Sequence, residues 1–212
     1  ALNESGQYTR EQSFWESTSN LDKGLRLDTM LRDLGFQTKM SRITNTTADD
    51  RSLSGISAEA SNWNADFMLS IHSNAGNPSN YILHLHSGIT PGDPYGLNGY
   101  PEKVPEEICN EARAITTLMG NNQYSNQVSC WSREPRVDGD KTFARTVMGW
   151  SNGYGVLRWL EVPGTISEGM MHDYMPETYR LMNIDYKRQE SFYFAKTFIE
   201  YFCGSELPSG AI

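Results

Sequence analysis

Hydrophobic residues recur along this chain in two periods, one helical and one strand-like, and the two alternate through its first half. In "ESTSNLDKGLRLDTMLRDLGF", Leu21, Leu25, Leu27, Met30, Leu31 and Leu34 fall close to one helical stripe. Ser or Thr at 17–19 offers an N-cap, and Gly35 stands where a left-handed residue would close the helix. "FQTKM" then predicts a short strand leading to Arg42, and "LSGISAEASNW" a second helix. In "ADFMLSIHSNA" the run Phe67–Ile71 is too short and too uniformly apolar for an amphipathic helix. It predicts an interior strand covered on both faces, ended by Ser73, Asn74 and Gly76. "NYILHLHSG" predicts the next strand, and "PEEICNEARAITTLMG" a helix with Ile108, Ala112, Ile115 and Leu118 or Met119 on one face.

Between those last two, "ITPGDPYGLNGYP" interleaves Pro91, Pro94 and Pro101 with Gly92, Gly96 and Gly99, the signature of an inserted loop. Residues 121–153 carry no clear period. "YGVLRWLEVPGTISEGM" holds one or two short strands ending near Glu168, and "MPETYRLMN" and "DYKRQESFYFAKTFIEYF" predict two closing helices. Alternating strands and helices imply an α/β fold: a mostly parallel sheet flanked by helices in three α/β/α layers. With no linker or repeat to divide it, the 212-residue chain reads as one domain over 1–203, with 204–212 as a tail.

A net charge of −8 excludes the basic face that phosphate backbones require, so no nucleic-acid partner is expected. No apolar stretch reaches the length of a membrane span. Cys109, Cys130 and Cys203 are odd in number and widely spaced, and form neither a CxxC metal pair nor a disulfide framework.

Three positions stand out for chemistry. His72 stands at the C-terminal end of its strand, the edge where open α/β sheets hold ligands. Glu168 ends "GTIS", and Glu16 opens the first helix. All three can meet at one sheet edge, and a histidine with two carboxylates is the make-up of a hydrolytic zinc site. Each has a plainer alternative: a structural histidine, or a glutamate stabilised by a helix N-terminus.

"ADFMLSIHSNA" resembles the "AD-x-x-x-SIH-x-NA" motif of the zinc-dependent N-acetylmuramoyl-L-alanine amidases, catalytic domains that cleave peptidoglycan. Glu16 with Asn20 and Leu21, then "LRDLGF" and "SR", is similar to that family's "E-x-x-x-N … L-x-x-x-G … TR" block. "YGVLRWLEVPGTISEGM" resembles its "VLR … P-x-x-L-x-E-x-G-F" stretch. The similarity spans roughly 14–202, with unfamiliar stretches near 88–101 and 131–150. It implies Glu16 and His72 as zinc ligands and Glu168 as the catalytic glutamate.

The chain also departs from the pattern. The family's first ligand, a His in a Gly-His-Gly turn after the first strand, has no counterpart before Glu16, which places that strand and ligand upstream of Ala1 or leaves them lost. Leu53, Ile56 and Ala60-Ser61 stand where "L-x-x-R-x-x-x-AN" is expected, and Met170 replaces an aromatic.

His84 and His86 form an HxH pair that either lines a strand face or serves metal or substrate. His172 and Asn74 are candidates for supporting or substrate-facing roles. Tyr95, Tyr100 and Trp131 offer ring faces to a sugar, or simply belong to surface loops.

The resemblance implies a zinc hydrolase of the N-acetylmuramoyl–L-alanine bond, acting on peptidoglycan or muropeptides in the periplasm or outside the cell. Two alternatives are a degenerate glycan- or peptide-binding module and a zinc carboxypeptidase-like peptidase.

Overall fold

The structure, a computed structural model, describes residues 14–75, 81–96, 105–129 and 134–204. Four strands form one sheet: β1 (Met68–Asn74), β2 (Leu83–His86), β3 (Arg136–Gly139) and β4 (Gly164–Met171). Their spatial order is β1-β4-β2-β3. β1 runs parallel to β4 and β2 parallel to β3, while β2 and β4 are antiparallel. The mostly parallel sheet expected from the alternation is therefore present, with one inverted pairing at its middle.

Helices cover both faces. On one, α1 (Glu16–Asp33), α3 (Glu106–Ser125) and α7 (Ile184–Phe198) bring Leu27, Leu31, Ile115, Met119, Phe194 and Phe198 against Leu69 and Ile71 of β1. On the other, α2 (Leu53–Asn62), the one-turn helices α4 (Asp140–Phe143) and α5 (Gly155–Arg158), and their flanks cover Leu83, Leu85 and Ile166. The remaining helix, α6 (Met175–Met182), lies against Val128 and Met170 through Leu181. Successive strand residues face opposite layers, so period-two alternation feeds two cores at once.

Several expectations are corrected. The α1 stripe is narrower than drawn, with Leu27 and Leu31 buried and Leu25 and Leu34 exposed. No hydroxyl caps the helix: Trp15 is its N-cap, without a side-chain bond, and Glu16 is its first residue. Gly35 does close it, at φ +89°. On α3 the buried face runs through Cys109, Ala112, Ile115 and Met119. Residues 121–153 contain the end of α3, β3 and α4, hidden from the sequence by their brevity.

"FQTKM" keeps the alternation of a strand, with Phe36, Thr38 and Met40 turned inward and Gln37 and Lys39 outward. It has no ladder partner among the described residues. β1, expected to be covered on both faces, is instead only partly buried, because no described strand pairs with its outer edge. Between β1 and residues 36–42 runs a groove of about 1020 Å³, which ends at Glu16 and His72.

Candidate active site

Parallel pairing of β1 with β4 sets His72 opposite Glu168, the register running unbroken from Met68–Gly164 to that pair. Beyond His72 the register shifts, and Asn74 stands opposite Met171. Glu168 therefore lies inside its strand rather than at its end. It is held on a rigid ladder, one strand over from the histidine.

Glu16 reaches the same place from the first turn of α1, where free backbone N–H groups favour a carboxylate. Its Oε1 lies 3.2 Å from His72 Nδ1. It also accepts hydrogen bonds from the Ser73 N–H at 3.0 Å and the Asn20 amide at 3.1 Å. Glu16, His72 and Glu168, three positions far apart in the sequence, are thus brought together.

The charges of the three diverge. Partial burial pushes the Glu16 carboxyl up, but the bonds from His72 and Ser73 and the nearby histidine charges outweigh it and bring it down to about 2. The same Glu16 bond raises His72 against the opposing effect of desolvation. Desolvation drives Glu168 the other way, up to about 7, with His72 and Lys23 partly offsetting it and Glu16 adding to it. One carboxylate stays ionised while another titrates near neutrality, the division of labour that acid–base chemistry uses. Glu168 Oε2 is buried and has no hydrogen-bond partner among the described residues.

Donor chemistry and spacing at Glu16 and His72 suit a zinc ion. Two atoms on one tetrahedral zinc at about 2.0–2.1 Å stand about 3.3 Å apart, close to the 3.2 Å found between His72 Nδ1 and Glu16 Oε1. The lowered Glu16 carboxyl and raised His72 imidazole stabilise each other, and these two groups would hold the metal. Among the described residues, no third His, Cys, Asp or Glu joins them to form a metal-holding group.

The remaining candidates separate. His172 Nδ1 lies 2.9 Å from the Ser73 carbonyl and 3.0 Å from Ser73 Oγ. A carbonyl only accepts, so Nδ1 carries a proton. The ring stacks on Phe14 at 5.6 Å and braces the residue whose N–H holds Glu16. Asn74 turns its side-chain oxygen to the Ala75 N–H and accepts the His172 N–H through its carbonyl, which makes it a support of the strand end.

His84 and His86 are buried on β2, opposite Ser167 and Thr165 of β4. Burial brings His84 down to about 4, with the neighbouring Gln123 amide partly offsetting it. His86 Nδ1 donates to the Ser87 carbonyl at 3.0 Å. Cys109 is buried and Cys203 exposed, both as free thiols. Tyr95 carries the Arg145 guanidinium over its ring at 4.1 Å, while Tyr100, Cys130 and Trp131 lie outside the described residues.

Ser73 and Lys23 were not singled out from the sequence. Lys23 was detectable in principle, because Glu16, Asn20 and Lys23 stand at the four- and seven-residue spacings that share one helix face.

A carboxylate and an imidazole clasped at a strand end, with a near-neutral glutamate one strand away, form a candidate site on a three-layer α/β domain. A family model described as N-acetylmuramoyl-L-alanine amidase matches residues 3–190, and the chain belongs to that family. Its reaction class is amide hydrolysis in peptidoglycan.

Solved structures agree on the fold. An N-acetylmuramoyl-L-alanine amidase from Clostridium difficile 630 superposes with a TM-score of 0.69 at 18% identity, covering 96% of this chain and 92% of that one. An amidase of Nostoc punctiforme gives 0.65 at 19% identity, over 96% and 89%. The catalytic domain of CwlV from Bacillus (Paenibacillus) polymyxa var. colistinus gives 0.65 at 16% identity, over 92% and 89%. A search of curated proteins found no significant match.

Proposed function

We propose that this amidase works with zinc held by Glu16 and His72, and that Glu168 is its general base. The observation that carries the reading is the 3.2 Å clasp of Glu16 and His72 with Glu168 in register beside it. Bound there, zinc would supply Lewis acidity to the scissile carbonyl and acidify a water.

The chain's own part is proton handling. Glu168, ionised at the start, accepts the proton of the attacking water on its unpartnered Oε2 and returns it to the leaving L-alanine amine. Its pKa of about 7 suits both halves of that task near neutral pH. Ser73, Asn20 and His172 hold Glu16 and the end of β1 in place throughout.

A third protein donor would come from outside the described residues. The groove along the outer edge of β1, which ends beside Glu16 and His72, is its natural approach. The substrate class points to action at the cell envelope, beyond the cytoplasm. No helix among the described residues is long and apolar enough to cross a membrane.

The test is zinc content per chain by elemental analysis, alongside hydrolysis of an N-acetylmuramoyl–L-alanine muropeptide. About one zinc per chain, lost in His72→Ala together with the cleavage, is the expected result. A wild-type protein that cleaves nothing and takes up no zinc when it is supplied would sink the reading, leaving a glycan- or peptide-binding module.

A further inference from the structure

Near the candidate site, on the face of the sheet covered by α1, α3 and α7, lies an ion pair that the proposed chemistry does not use. Lys23 Nζ and the Glu190 carboxylate are 3.0 Å apart, with both side chains wholly buried. Lys23 belongs to α1, seven positions beyond Glu16 and on the same helix face. Glu190 belongs to α7 and rests against β4 at Gly169, the residue after Glu168. A Cβ at Gly169 would come within 2.1 Å of Glu190 Oε1, so the missing side chain is what admits the carboxylate. Next to Glu190, the Ser191 hydroxyl donates to the Lys23 carbonyl at 2.9 Å, tying the two helices together at this level.

The pair therefore connects the helix that carries Glu16 to the strand that carries Glu168. Apolar contacts between α1 and α7 tolerate small slides and rotations, because they are non-directional. A buried ammonium facing one carboxylate does not, since any slide leaves both charges desolvated and apart. Lys23 is also close enough for its charge to act on both His72 and Glu168.

We propose that Lys23 and Glu190 are positioning residues for catalysis: their buried pair fixes the setting of α1 against β4 and so places the Glu16 carboxylate relative to Glu168. This rests on the reading of Glu16 and Glu168 as site residues.

Replacing both members by apolar side chains separates positioning from stability, because a buried pair exchanged for hydrophobic residues of similar volume is often neutral or stabilising. The experiment compares the zinc-loaded wild type with Lys23→Met/Glu190→Met on a muropeptide, reading kcat and KM separately and following thermal unfolding. The expected double variant melts within a few degrees of wild type, keeps KM within about two-fold and loses at least ten-fold in kcat, the pattern of a lost transition-state interaction. A folded double variant with wild-type kcat overturns the proposal.

Should the double variant not fold, Glu190→Gln supplies the answer. It preserves the shape against Gly169 and a hydrogen-bond acceptor for Lys23, so an at least five-fold fall in kcat at constant KM supports the role and an unchanged kcat refutes it. Glu168→Gln runs beside them. Full activity in that variant would refute the site reading itself, a different result from wild-type kcat in the double variant alone.

Discussion

His72 and Glu168 are cross-strand partners, held opposite each other in the parallel ladder of β1 and β4. Adjacent strands lie about 4.8 Å apart. The ladder thus sets a metal-type ligand and a protonatable carboxylate at a separation fixed by backbone hydrogen bonds. With Glu16 clasping His72 from the start of α1, the arrangement needs no loop to assemble it.

Glu168→Gln should remove the proton carrier while leaving the shape of the strand intact. Hydrolysis of a muropeptide is expected to fall by about 10²–10⁴-fold, the usual contribution of a positioned base. Circular dichroism and thermal melting should be close to wild type. A variant that retained more than a tenth of the rate would remove Glu168 from the mechanism.

The metal-free protein should lose stability as pH rises from about 4.5 to about 7. Glu168 has its folded-state pKa raised to about 7 from 4.5, so it contributes most below 4.5 and its contribution is gone once pH passes the folded value. The effect is of the order of 3 kcal/mol by linkage. The raised His72 acts in the same direction on rising pH. Glu16, lowered to about 2, acts in the opposite sense, contributing above 4.5 and failing only as pH falls towards 2. Urea titrations at pH 5 and pH 8 on wild type and Glu168→Gln check this: the difference between the two pH values should shrink markedly in the variant.

Zinc affinity should depend on both members of the clasp. Glu16→Ala and His72→Ala are each expected to weaken binding by at least ten-fold in a competition titration against a chromophoric chelator, an order-of-magnitude expectation for a lost ligand. Affinity in the wild type should also fall on acidification, because the His72 imidazole, raised by its bond to Glu16, must be neutral to bind metal.

His84→Leu should leave zinc stoichiometry and cleavage unchanged. His84 is fully buried beside Gln123, and burial brings it down to about 4, which keeps it neutral near pH 7. Loss of zinc in this variant would restore the HxH pair as a metal site.

Gly169→Ala should destabilise the fold by about 1–3 kcal/mol, the range for overpacking a tight core. The new methyl would meet Glu190 Oε1, a buried carboxylate held by Lys23. Denaturant unfolding measures it, with a change below about 0.5 kcal/mol marking the contact as unimportant.

Much of this was written locally in the chain. The long helices α1, α3 and α7 follow from apolar residues recurring at helical spacing, and β1 from a short apolar run bounded by small polar residues, because these elements depend chiefly on neighbours along the chain. Glu16 and His72 could be marked from their places near a helix start and a strand end, and Glu168, which lies inside β4, from its motif, since a motif is read along the chain. Short elements such as β3 and α4 left no such trace, since four residues hold barely one period of any pattern.

Tertiary structure alone decided the rest. "FQTKM" has the alternation of a strand yet lacks a ladder, because strand formation requires a partner that periodicity within one segment does not supply. The antiparallel pairing of β2 with β4, the edge position of β1, and the burial of His84 and His86 depend on which strands come to lie side by side. So does the meeting of Lys23 with Glu190, 167 positions apart in a chain whose sequence marks neither as buried. Sequence determined which groups were available for chemistry. Distance, desolvation and register, which exist only between segments, determined which of them share a charge, a proton or a strand.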